Sequence, residues 1–172
     1  LQRDGSVLLP NQWSLRPVGR PIAVGDFPVQ IALHPSGAYA AVLHSGWGQH
    51  EIQILEVKSG RLVSQVTLDE SFHGLAWAPD GGTLFASGAG SEVVHAFAFR
   101  DGYLSDRRDL RLRPEKERGI VSGLAVAPDG RLLALDVRLY ANGGNSMDLS
   151  FSIVDRALLH ADGCYAIPAL RA

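Results

Sequence analysis

The chain has 172 residues, 46% hydrophobic and 20% charged, a composition that can fold and is unlike a disordered tail. Sixteen basic and eighteen acidic residues leave a formal charge of −2, which gives no electrostatic reason to expect nucleic acid or an anionic membrane as partner. Cys164 is the single cysteine, so an internal disulfide, a CxxC pair and a CxxCH haem site are excluded. No apolar stretch approaches the roughly 18 residues of a membrane span. The opening LQRDGSVLLPNQWSLRP has no basic head followed by an apolar run. With Leu1 in first place, the chain is expected to be processed or cut from something longer.

Residues 1–28 form a lead-in, in which RPIAV (residues 20–24) reads as an outer strand without a neighbour in this chain. A repeat follows. IALHPSGAYAAVL, LAWAPDGGTLFA and LAVAPDGRLLAL each place two apolar runs around a Pro-x-Gly turn, at Pro35, Pro79 and Pro128. Proline pre-sets φ for such a turn, and Gly37, Gly81 and Gly130 can take positive φ. The runs suit strands buried on both faces. Third strands follow in EIQILEV and EVVHAFAF, and fourth strands in LVSQVTL and LSDRRDLRL, after the turns at 58–61 and 100–103.

Four strands recurring at this spacing match a propeller blade of about 40–45 residues. The expected fold is therefore all-β, a partial β-propeller of four-stranded antiparallel blades. Residues 29–68 are blade 1, 69–112 blade 2, and 113–172 blade 3, degenerate after 136, where FSIV reads as a third strand. Three blades cannot close a ring that needs about 4–8. The lead-in strand would latch such a ring, with the missing blades supplied by further sequence or another copy.

VQIALHPSGAYAAVLHSGWGQHEIQILEVKSGRLVSQVTL, with the lead-in LLPNQWSLRPVGRPIAVGDFPV, resembles the YVTN-repeat, YncE-like β-propellers of bacteria. It also resembles propeller regions of larger secreted proteins that carry alkaline-phosphatase-like or cytochrome c domains. The resemblance covers about residues 8–134. It implies a seven-bladed ring with an extracytoplasmic location, periplasmic or secreted, and it carries over no catalytic residue.

In such a fold the loops opposite the Pro-x-Gly turns gather on one face. His44, Trp47, Gln49 and His50 come from HSGWGQH, and His73 and Arg118 from blade connections. Phe27, Phe72, the 87–91 loop and residues 136–145 join them. These six named residues are the expected ligand or partner face. His44 and His50 could converge on a metal, with Glu51 and His73 as the nearest further donors. Alternatively their rings bond the backbone and orient Trp47. Trp47 is either a recognition aromatic or a cap on a neighbouring blade, whereas Trp77 belongs to the core. SGAGS is a tight loop and not a phosphate cradle, because a strand and not a helix follows it. The Arg-rich run 100–118 is interleaved with acids and reads as a solvated strand and connector. No Gly-x-Ser-x-Gly elbow is present.

No cofactor is called for, and the chain alone is not expected to be an enzyme. The expectation is a non-catalytic segment of a larger exported protein, binding a protein or ligand through loops. A metal-assisted hydrolase of lactones or phosphoesters, centred on the histidines, is the alternative. The remainder of a longer polypeptide, or another protein, is the expected partner; the small-molecule ligand is left open, and DNA is disfavoured by the charge.

Overall fold

Three copies of one turn set the frame. Gly37, Gly81 and Gly130 donate their amides to the carbonyls of His34, Ala78 and Ala127, at 2.8, 2.9 and 2.8 Å. Each glycine has positive φ, between 72° and 87°, where a side chain would be strained. In this computed structural model, residues 6–16, 18–112, 119–139 and 147–154 are described. Every regular element among them is a β-strand.

The strands β3 (Pro28–Leu33), β4 (Tyr39–His44), β5 (Glu51–Glu56) and β6 (Arg61–Thr67) form a first antiparallel sheet, in that order. A second follows the same course with β7 (Leu75–Trp77), β8 (Thr83–Ser87), β9 (Val93–Arg100) and β10 (Tyr103–Arg111). The third has β11 (Gly119–Val126), β12 (Leu132–Leu139) and β13 (Met147–Val154). The Pro-x-Gly turns join the first two strands of each sheet because Pro fixes φ and the glycine closes the reversal. A small hairpin, β1 (Val7–Leu8) with β2 (Ser14–Leu15), precedes them.

The sheets stack. Ala41, Leu43, Ile52 and Ile54 of the first pack on Leu75, Trp77, Leu84, Ala86 and Phe97 of the second. The second turns Phe85, Val94 and Ala96 the other way, against Val121, Leu132 and Ala134 of the third. Strand β8 is thus covered on both faces, as a near-continuous apolar run requires.

Polar groups stitch the first joint. Trp77 Nε1 donates to the Ala32 carbonyl at 3.0 Å, and Gln30 exchanges bonds with Gly74 and Leu75. At the turn end His34 sits 4.8 Å from both Trp77 and Phe99 and bonds the Gly81 carbonyl. A bonded indole in an apolar joint is the condition under which tryptophan serves as core.

One expectation needs correction, and another takes a more definite form. Residues 20–24 pair with no strand among the described residues. They run across the first sheet, with Arg20 donating to the Ser59 carbonyl and Ile22 lying against Gly60. Pro21, which has no N–H, cannot contribute fully to a ladder. Residues 136–139 are not loop but the end of β12, paired with Met147 to Ser150 of β13.

Because Phe85 is 1% exposed at the second joint, Phe85→Ala should cost about 3–5 kcal/mol. Urea unfolding followed by tryptophan emission checks this.

Candidate functional site

The loops opposite the Pro-x-Gly turns are drawn together by a short chain of hydrogen bonds. Ser45 donates its amide to the Phe27 carbonyl at 3.2 Å and its hydroxyl to the Ser71 carbonyl at 2.5 Å. The Ser71 hydroxyl donates to the His44 carbonyl, and the Ser71 amide to His50 Nδ1, both at 2.8 Å. Asp26 accepts from the Gly48 amide at 3.1 Å. Gly46 also lies against that carboxylate, so a side chain there would collide with it. The glycines of this loop let its backbone wrap an acidic residue 20 positions earlier.

Of the six residues expected on this face, four lie in this cluster as described: His44, Trp47, Gln49 and His50. His44 is not a surface ligand. It is completely buried at the end of β4, and neither ring nitrogen has a partner among the described residues. Gly25 covers it, next to Glu51 and Gln53, which bond each other at 2.7 Å. His50 spends Nδ1 on the Ser71 amide, the backbone role that competes with metal binding. Gln49 reaches the Leu68 carbonyl at 3.5 Å.

Trp47 is fully exposed, at 103%, and packs on none of the described residues. His73 is exposed and stands edge-on to Phe72, centroids 5.4 Å apart. Arg118 lies outside the described residues. Among the described residues no three His, Cys, Asp or Glu side chains are placed to hold a metal ion. The His44 ring lies buried beneath Gly25, and His50 bonds the Ser71 amide through Nδ1.

A second polar group escapes sequence reasoning. His95 of β9 is buried, and its Nδ1 lies 2.7 Å from Asp109 Oδ1. Arg107 grips Asp109 through two bonds, at 2.9 and 3.1 Å, and reaches Asp69 at 3.5 Å. The network ties outer strand β10 to the connection between the first two sheets. Burial holds the His95 imidazole below its ordinary range, against the opposing pull of Asp109. Burial by itself would raise the Asp109 carboxyl, but its bonds from Arg107 and His95 together leave it lowered. The only sequence signal was the pairing of His95 and Asp109 across β9 and β10, visible once register is known.

Comparison with known proteins points away from the resemblance drawn from the repeat. The family described as molybdopterin cofactor-binding domain matches residues 115–172. Xanthine dehydrogenase 1 of Arabidopsis thaliana is 54% identical over 43 residues, 25% of this chain and 3% of its own length. Xanthine dehydrogenase/oxidase of Felis catus is 57% identical over 42 residues, 24% of this chain and 3% of its own. Xanthine dehydrogenase of Drosophila pseudoobscura pseudoobscura is 50% identical over 48 residues, or 28% and 4%. The chain thus spans only a few per cent of these relatives. A solved structure titled "Structure of U3-55K" superposes with a TM-score of 0.59 at 14% identity, covering 89% of this chain and 42% of that one. That likeness concerns the fold alone.

These matches overturn the YVTN-repeat, YncE-like assignment, because they fall on the molybdopterin-binding and xanthine dehydrogenase families. The non-catalytic exported segment and its hydrolase alternative fall with it, since the matches are to a cofactor-binding domain and to proteins named as dehydrogenases, neither a non-catalytic scaffold nor a hydrolase. The extracytoplasmic location rested on the same resemblance and is likewise corrected. The repeat misled because its turn chemistry specifies strands and reversals, which unrelated families share. Among the described residues no helix is long and apolar enough to cross a membrane.

The His95 network makes stability depend on pH. Its imidazole is harder to protonate folded than unfolded, so the unfolded state takes up the proton first. Stability should be complete above the ordinary histidine value of 6.5 and fall as pH drops below it toward the depressed folded value. His95→Gln should flatten this dependence. The urea midpoint measured from pH 7.5 down to 5 reads it directly.

Proposed function

We propose that this chain is a portion of a longer molybdopterin-dependent enzyme of the xanthine dehydrogenase kind. Residues 115–172 would contribute to its cofactor-binding domain, and the first two sheets would be an attached β-unit. The observation that carries the reading is the match of that domain to residues 115–172, together with identities above 50% to xanthine dehydrogenases over about a quarter of the chain. The substrate class suggested by the relatives' name is a purine such as xanthine. The bound molybdenum centre would supply the redox chemistry.

Among the side chains described in the matched segment, none forms a cradle for that cofactor. Val121, Leu132 and Ala134 are spent on the joint with the second sheet, with Leu124 and Val126 packed beside them. An apolar lining of this kind gives a pterin no hydrogen-bond partners. No step of the reaction is therefore assigned to these residues. Their contribution is to anchor: the Ser87 hydroxyl donates to the Val121 carbonyl, and Ala89 forms a bridge with Val121. Through these contacts the matched segment is fastened to the sheets before it.

We read the three stacked sheets as successive blades of a partial propeller, with bounds at 29–68, 69–112 and 113–172 after a lead-in of 1–28. The recurrence of the same turn and the same strand order supports this arrangement. On this reading His44, Trp47, Gln49, His50 and His73 lie at the end that meets the remainder of the polypeptide, His44 as a buried support; Arg118, also expected there, is outside the described residues. The exposed indole of Trp47 favours that assignment, because a bare indole offers large contact area and a donor.

Molybdenum and pterin content of the intact polypeptide that contains this chain tests the proposal. Near-stoichiometric amounts of both, with oxidation of xanthine, are expected. Purified polypeptide that accepts neither when expressed with the cofactor pathway would refute it.

A further inference from the structure

The two faces of the first sheet are treated differently. One carries Ala41, Leu43, Ile52 and Ile54 into the joint with the second sheet. The other carries Ala40, Val42, Gln53 and Leu55, all buried, yet no sheet lies on it among the described residues. Residues 20–25 cross it instead. They start at the Ser59–Gly60 turn, where Arg20 and Ile22 are held, and finish over His44, Glu51 and Gln53 at Gly25.

This strap is an incomplete cover. It pairs with no strand among the described residues, and its own Ile22 and Val24 are exposed. It leaves Ile31 and Leu33 bare, at 66% and 61% exposure. These two pair with Val42 and Ala40, so they lie on the same face. His44, beneath the strap, is buried without a partner. Elsewhere the first strands of the sheets meet in sequence, β11 against β7 and β7 against β3. On the far side of β3 that progression stops, at the two exposed aliphatic residues.

We propose that this face is a stacking surface for a further antiparallel sheet from the remainder of the polypeptide, whose first strand covers Ile31 and Leu33. The inference rests on the reading that the chain is part of a longer protein. Continuity with the two existing joints identifies a sheet as the occupant. The chain's small share of its relatives' length leaves ample polypeptide to supply one. Burying two large aliphatic side chains is favourable, and a tethered sheet loses little entropy on association.

Thiol labelling of the intact polypeptide tests this. In a Cys164→Ser background, Ile31→Cys and Leu33→Cys are compared with Asp101→Cys, an exposed turn position. Labelling at 31 and 33 should be slower than at 101 by about tenfold or more, as expected for a site reached only through opening. Equal rates overturn the proposal. Protection that disappears on dilution also overturns it, by making a second copy the occupant. Molybdenum content of the same samples separates the two readings: fast labelling in a molybdenum-replete protein refutes the stacking surface alone, and protection without molybdenum refutes the enzyme assignment alone.

Discussion

Sheet-on-sheet burial is the constraint from which the rest of the structure follows. A strand such as β4, YAAVLH, is apolar on both sides and has no face it can give to water. It must be covered twice, and a single sheet cannot cover itself. The second sheet meets the same demand through Leu84 and Ala86 on one side and Phe85 on the other. Stacking is thus forced by alternation within the strands, and the stack continues until something other than a regular sheet ends it. At the first sheet the strap covers only part of the outward face.

The hydrogen-bonded loop end is a consequence of this stacking. Each sheet ends its second strand and begins its third on the same side, so residues 45–50 come to rest beside the connection to the second sheet. Ser45 and Ser71 then satisfy carbonyls that burial would otherwise strand. The cost falls on His95, whose Nε2 is buried without a partner among the described residues. Neutral imidazole tolerates such a site far better than a charged group would, so burial holds the His95 imidazole below its ordinary range.

The chain joins two kinds of likeness. Its C-terminal third matches molybdopterin-binding sequence, while its wider fold superposes on a structure with little sequence in common. The second joint reconciles them physically. Val121, Leu132 and Ala134 complete a core begun by Phe85 and Val94, so the matched segment and the preceding sheets share apolar surface. Separating them would expose that surface to water.

The sequence by itself determined the strands and the turns between them. The Pro-x-Gly signal at Pro35, Pro79 and Pro128 is local, requiring only a fixed φ and a glycine tolerant of positive φ. It also determined that Trp77 is core. Tertiary structure decided the rest. That RPIAV lies as a strap across the first sheet depended on what stood beside it, and strand propensity contains no such information. His44 looked like a loop ligand because nothing in HSGWGQH reveals that Gly25 would close over it. His95 and Asp109, fourteen residues apart, became partners only when β9 and β10 took their register. Local conformation is encoded by neighbours in the chain, whereas burial and pairing are set by neighbours in space.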